Sequence, residues 1–188
     1  VISQASVRRL CEVLNEIPDI ADTGRDGLEP ADGSVVFENV SFSYSKRADN
    51  LTLKDISFAV RSGETVGIIG ATGSSKTTLV QLIPRLYDVF SGRVLVGGHD
   101  VREYHLPVLR SAVAMVLQNN LLFSGTIEEN LRWGDENAGE EEIRAAARAA
   151  QADGFVSSFP DGYKTFMGQG GVNVSGGEKQ RLCIARAL

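Results

Sequence analysis

One stretch of the sequence combines the residue types that bind phosphate. It is residues 66–82, VGIIGATGSSKTTLVQL, in which a glycine-rich turn runs directly into a lysine and two threonines. A short apolar run precedes the turn and apolar residues recur at helical spacing after it, which predicts strand, turn and helix. Successive backbone N–H groups in such a turn, with the open helix N-terminus, form a concave site for phosphates. We therefore expect Lys76 to reach the terminal phosphates and Thr77 to ligate Mg²⁺.

The residues expected to contact phosphate run through the turn into the helix. They are Gly70, Ala71, Thr72, Gly73, Ser74, Ser75, Lys76, Thr77 and Thr78. Ser75 departs from the sequence motif of phosphate-binding loops, which has glycine directly before the lysine. We expect a helical backbone at Ser75, which tolerates a β-carbon, so the loop itself can form. The side chain would still compete with the phosphates for space, so binding should be weakened and not abolished. The other interpretation of this stretch is an ordinary strand–turn–helix corner, which the pair Lys76-Thr77 disfavours.

Two further sites carry polar groups suited to phosphate and metal. Gln118 follows an apolar run, residues 112–117, that predicts a strand beside the phosphate-loop strand. An amide there can ligate Mg²⁺ and orient an attacking water, although a solvated glutamine at a strand end fits equally well. Ser175, Gly176, Gly177 and Glu178 have the spacing of a capping box, which predicts a helix whose N-terminus can face a phosphate.

The remaining pattern predicts the elements that position these residues. Residues 34–60 alternate apolar and polar side chains, typical of antiparallel strands, with a turn near 46–50. Residues 19–33 are acidic and contain glycine and proline, which indicates a linker. Periodicity predicts a further strand and several helices, which are the strand 93–96 and the helices 1–17, 106–111, 127–133, 140–152 and 176–188.

Composition restricts the class of protein. The chain has 188 residues and a formal net charge of −5, which argues against a nucleic-acid binder that depends on neutralising phosphates. No apolar run approaches the roughly 18–20 residues of a membrane span. The two cysteines, Cys11 and Cys183, have no metal-ligand spacing, so we expect reduced thiols.

Four motifs in order resemble the nucleotide-binding domain of an ATP-binding cassette (ABC) exporter. VSFSY, ending in Tyr44, resembles the aromatic loop that stacks on adenine, and GATGSSKTT resembles Walker A. VLQNNLLFSGTIEENL resembles the Q-loop with Gln118, and NVSGGEKQRLCIARAL resembles the signature motif and its helix. Without the other motifs, Tyr44 would be taken for an ordinary strand residue.

The resemblance implies a fold, cofactors and partners. The fold is α/β: a P-loop NTPase core with a parallel sheet, an antiparallel β-subdomain and an α-helical signature subdomain. The cofactors are ATP and Mg²⁺. The partners are the transmembrane domains of the same transporter and a second nucleotide-binding domain, paired head to tail so that Ser175 of one copy meets the ATP held by Lys76 of the other. The expected location is the cytoplasmic face of the cell membrane.

The same resemblance divides the chain and limits its activity. Residues 1–33 correspond to the end of a transmembrane-domain helix and a linker, and residues 34–188 to a nucleotide-binding domain without Walker B, the catalytic glutamate or the switch histidine. We therefore expect an ATPase in the full-length parent and no turnover by these residues alone. Gln169, Gly170, Val174 and Glu178 also differ from the family's usual residues.

Two alternative functions remain at the level of sequence. One is a degenerate, non-hydrolysing partner in a heterodimeric exporter, which the departures at Ser75, Gln169 and Glu178 favour. The other is a soluble cassette ATPase of DNA repair or translation, against which the exporter-type sequence FSGTIEEN argues.

Overall fold

The computed structural model describes residues 2–188, which form two compact units. The first extends to Val113 and the second is Ala114–Leu188. The elements of the first unit are α1 (Ile2–Leu14), β1 (Val35–Phe42), β2 (Leu53–Val60), α2 (Lys76–Gln81), β3 (Ser91–Val96), β4 (His99–Asp100) and α3 (Leu106–Ala112). The elements of the second are β5 (Gly125–Thr126), α4 (Ile127–Arg132), α5 (Glu140–Ala149), α6 (Asp153–Val156), β6 (Phe166–Met167) and α7 (Gly176–Ala187), with a 3₁₀ turn at Gly162–Lys164.

The sheet of the first unit is antiparallel, as the alternating segment predicts. Its strand order is β2-β1-β3-β4. A bulge at Asn39, whose φ is 48°, shifts the register of β1 between Phe37 and Val40. The extra residue turns both Phe37 and Val40 into the core although they are three positions apart. Simple alternation, which would place Phe37 and Val40 on opposite faces of the strand, is therefore wrong at the start of β1.

The two adjacent parallel strands predicted at residues 66–69 and 112–117 do not form. Residues 66–69 and 113–117 have no strand pairing, and Ala112 belongs to α3. Parallel strands are stable when neighbours pair with them and helices cover both faces. Among the described residues, neither segment has a strand partner, and Ile69 is 98% exposed.

The core of the first unit lies between the antiparallel sheet and the helices that pack on it. Its fully buried side chains include Phe37, Val40, Leu82, Val94, Tyr104 and Leu109. Leu82 directly follows α2, so burial of this side chain ties the helix to the sheet. The position of α2 matters because this helix begins at Lys76.

The second unit is a helical cluster closed by a two-stranded antiparallel ribbon, β5–β6. Its buried side chains come from several helices and include Ile127, Ile143, Ala147, Val156 and Leu182. The structure confirms the predicted helices 127–133, 140–152 and 176–188, with ends that differ by a few residues.

The predicted N-terminal helix is confirmed as α1, while Val1 lies outside the described residues. Its apolar side chains at Leu10 and Leu14 are exposed. The segment predicted as a linker contains no helix or strand, yet it is fixed to the first unit: the backbone N–H of Arg25 donates to the carbonyl of Glu103 at 2.8 Å. None of the described helices is both long enough and apolar enough to cross a membrane.

Candidate nucleotide-binding site

The glycine-rich loop is wrapped around the ammonium group of Lys76. Nζ of Lys76 donates to the carbonyl of Gly70 at 2.8 Å, to the carbonyl of Ala71 at 2.9 Å and to Oγ of Ser74 at 3.3 Å. The turn depends on glycine at Gly73, whose φ is 82°. The loop thus holds a cation at the point where α2 begins.

Ser75 adopts a conformation that the sequence does not predict. Its φ is 62° and its ψ is 21°, in the left-handed region, whereas we expected a helical backbone. The difference has a geometric cause: Ser75 is the residue through which the turn enters α2, and its side chain makes no capping hydrogen bond. Glycine is the residue that reaches this region without steric cost, which accounts for its place in the motif.

The two threonines after Lys76 have different environments. Thr77 is exposed, as a metal-ligating hydroxyl must be. Thr78 is only 7% exposed, and its Oγ1 lies 2.9 Å from the phenolic oxygen of Tyr44. The fold therefore brings Tyr44, which lies in the turn after β1, to the first turn of α2.

The ring of Tyr44 is supported by two other aromatic rings and remains 54% exposed. Phe42 approaches it edge-on with ring centroids 4.8 Å apart, and Tyr87 does so at 5.2 Å. Sequence analysis missed both the hydrogen bond to Thr78 and the contribution of Tyr87. No spacing in the sequence predicts them, because both depend on how α2 packs on the sheet.

Gln118 and the signature residues belong to the second unit. Gln118 is exposed and lies in a bend after residues 113–117, which have no regular secondary structure, so the strand predicted to end there is absent. Lys76 and Tyr44 belong to the first unit.

The predicted capping box at the start of α7 is confirmed. The N–H of Glu178 donates to Oγ of Ser175 at 3.3 Å, and the N–H of Ser175 donates to Oε2 of Glu178 at 2.7 Å. The Glu178 carboxylate accepts hydrogen bonds from Ser175, the one from its backbone N–H having the larger effect and the one from its hydroxyl the smaller, and these lower the pKa of the Glu178 carboxyl below its ordinary value. Glu178 therefore serves the helix terminus even though it departs from the usual signature residue.

The groups in the first unit fit a nucleoside polyphosphate with a magnesium ion. Lys76 supplies a fixed positive charge, Thr77 an exposed hydroxyl and Tyr44 an exposed aromatic surface. Together they match the three chemical parts of such a ligand: phosphates, hard metal ion and base. A glycine-rich loop that encloses a lysine at the head of a helix defines the P-loop class of nucleotide-binding proteins.

Comparison with known proteins identifies the family. The model of the ABC transporter family matches residues 53–188. The chain is 46% identical over 187 residues to the multidrug efflux ATP-binding/permease protein Rv0194 of Mycobacterium tuberculosis, covering 99% of the chain and 15% of that protein. It is 42% identical over 188 residues to the ATP-dependent lipid A-core flippase of Methylobacillus flagellatus, covering 100% of the chain and 32% of that protein.

A solved structure agrees with these relatives. A bacterial Atm1-family ABC exporter with ATP bound superposes with a TM-score of 0.87 at 37% identity, over 99% of the chain and 32% of the exporter. The chain belongs to the ABC transporter family and has its P-loop NTPase fold, with an antiparallel sheet and helices. It spans about a third or less of the length of these relatives.

Proposed function

We propose that this chain is the ATP-binding part of an ABC exporter, in which ATP binding and hydrolysis drive transport of a substrate across a membrane. The observation that carries the proposal is the loop that encloses Lys76, with Tyr44 held beside it. The names of the relatives support it, since they pair an ATP-binding part with a permease or describe a flippase.

Within this proposal, each residue of the site has one task. Lys76 and the backbone N–H groups of residues 70–78 hold the phosphates, Thr77 and Gln118 ligate Mg²⁺, and Tyr44 stacks on adenine. Bound Mg²⁺-ATP supplies the phosphoryl group whose transfer to water releases free energy. The side chains of the chain orient the nucleotide and neutralise its charge.

Exchanging Lys76 tests the nucleotide site. Lys76→Met removes the cation and should weaken ATP binding at least about tenfold, because it deletes charge-assisted hydrogen bonds. Lys54→Met is the matched control, since Lys54 is exposed on β2 of the same unit. Displacement of a fluorescent ATP analogue from the full-length protein measures both variants. Equal affinities for the two variants would contradict the proposed site.

A second copy of the domain completes the proposed site. Ser175, Gly176 and Gly177 open α7, and its first-turn N–H groups suit a phosphate. We propose that they meet the ATP bound by the opposite copy in a head-to-tail dimer. Cysteines introduced at Ser74 and Gly176 should crosslink between subunits in an ATP-dependent yield, and crosslinks found only within one subunit would exclude this arrangement.

Hydrolysis and membrane attachment are proposed for the full-length protein. No carboxylate among the 188 residues matches the family's catalytic base, so these residues alone should release no phosphate above background. The partners are transmembrane domains of the same transporter, and the location is the cytoplasmic face of the membrane. Phosphate release by the 188-residue chain, with loss of release in Lys76→Met, would show that it contains its own catalytic base.

One observation favours a second candidate, a non-hydrolysing partner in a heterodimeric exporter. Ser75 places a side chain where the phosphate-binding motif has glycine, and a side chain there would obstruct the phosphates. If Ser75 impairs the site, Ser75→Gly should tighten Mg²⁺-ATP binding by about 1–3 kcal/mol, the scale of one or two charge-assisted hydrogen bonds. Equal affinities in titration calorimetry would remove this support.

A further inference from the structure

The side chain of Tyr44 is fixed at its hydroxyl end. Its phenolic oxygen lies 2.9 Å from Oγ1 of Thr78, and Thr78 is nearly buried in the first turn of α2. An exposed aromatic side chain on its own samples several rotamers. The hydrogen bond to Thr78 removes that freedom, and it does so from within the phosphate loop's own helix.

The ring is also held at its sides. Phe42 is buried in the core and meets the Tyr44 ring edge-on, while Tyr87 meets it edge-on at 5.2 Å. Edge-to-face pairs of this kind contribute stabilising free energy beyond that from the burial of apolar area. Tyr87 comes from the segment that follows α2, so two separate contacts connect the ring to the α2 region.

We propose that Thr78 and Tyr87 are positioning residues that lock the base-stacking ring of Tyr44 to the phosphate loop, so that base and phosphates are bound as one unit. This inference rests on the proposed binding of ATP. It goes further by assigning a function to the Tyr44 hydroxyl, to the second threonine of the loop and to Tyr87. An ordered ring contributes its full stacking free energy, whereas a mobile ring loses part of it to side-chain entropy.

The contribution of the base can be isolated as a ratio of affinities. The ratio is the dissociation constant of Mg²⁺-tripolyphosphate divided by that of Mg²⁺-ATP, both measured by displacement of a fluorescent ATP analogue from the full-length protein. Any direct effect of a Thr78 substitution on phosphate binding changes both constants alike and cancels. The ratio therefore responds to the placement of the ring and not to the phosphate loop itself.

Four variants test the hydroxyl pair. Tyr44→Phe keeps the ring and Thr78→Val keeps the shape, and each removes one hydroxyl. Each should lower the ratio by about 3- to 10-fold, the range of one net hydrogen bond. The double variant should lower it no further, because both changes break the same bond. Thr78→Ser keeps a hydroxyl and should retain the wild-type ratio.

Tyr87 is tested with its own pair of variants. Tyr87→Leu removes the supporting ring and should lower the ratio, while Tyr87→Phe keeps the ring and should leave it unchanged. An unchanged ratio in Tyr44→Phe, or effects of Tyr44→Phe and Thr78→Val that multiply in the double variant, would overturn the inference. A wild-type ratio near one overturns it while leaving ATP binding intact, and a wild-type protein that binds no ATP overturns the proposed function as well.

Discussion

Ser75→Gly should stabilise the first unit, because the serine occupies a backbone conformation that glycine adopts without strain. Ser75 has a φ of 62° and gains no capping hydrogen bond in return. A left-handed residue with a β-carbon costs about 1–2 kcal/mol. Glycine also raises the conformational entropy of the unfolded chain, which offsets about 0.4–1 kcal/mol of the gain from relieving this cost. The net expectation is an increase of about 0.5–1 kcal/mol in the free energy of unfolding.

Ser74→Gly is the matched control for this prediction. Ser74 is the neighbouring serine, its φ is not positive, and its Oγ accepts a hydrogen bond from Lys76 at 3.3 Å. Glycine there should destabilise the first unit by at least about 0.4–1 kcal/mol, because it adds the entropic cost and also removes this exposed hydrogen bond. Ser75→Ala keeps the β-carbon and should give no gain. Urea unfolding of the full-length protein, followed by a probe in the first unit, measures all three variants.

Two measurements, the free energy of unfolding and the affinity for Mg²⁺-ATP, distinguish backbone strain at Ser75 from obstruction of the nucleotide by the Ser75 side chain. Backbone strain at Ser75 is present with and without nucleotide, so its relief changes the free energy of unfolding and leaves the dissociation constant of Mg²⁺-ATP unaltered. Obstruction by the side chain changes the dissociation constant. Equal changes in stability for Ser75→Gly and Ser74→Gly would refute the assignment of strain to Ser75.

Three other substitutions test hydrogen bonds within each of the two units. Asn130→Ala should destabilise the second unit by about 2–4 kcal/mol in urea unfolding. The 2%-exposed side-chain amide makes three hydrogen bonds to backbone groups, and these groups would lose their partner in the variant. Ser175→Ala should cost about 1 kcal/mol in the same assay by removing the cap of α7. His105 is hydrogen-bonded to Asp26 and Asp22, and these hydrogen bonds raise the pKa of its imidazole. The stabilisation of the folded first unit by protonated His105 should therefore be complete below about pH 6.5, the ordinary pKa of histidine, and should be lost as the pH rises through the raised pKa. Hydrogen exchange at residues 22–28 should show this loss in the wild type and not in His105→Gln.

Much of the candidate site could be predicted from the sequence because its parts are local. The turn around Lys76 depends on glycines and a lysine that lie close together in the chain, and the capping box of α7 on two side chains three positions apart. The antiparallel strands follow from alternation. The turn and the capping box are each stabilised by residues near one another in the chain, so a short window of sequence contains the determining information.

Only the tertiary structure decided the features of the site that depend on contacts between residues distant in the chain. The hydrogen bond between Tyr44 and Thr78 joins residues 34 positions apart, and it exists because α2 packs on the sheet through Leu82. The same holds for the parallel strands: residues 66–69 have the composition of a buried strand, but a strand forms only when another pairs with it. The left-handed backbone of Ser75 is likewise imposed by the path of the loop into α2, against the preference of serine itself.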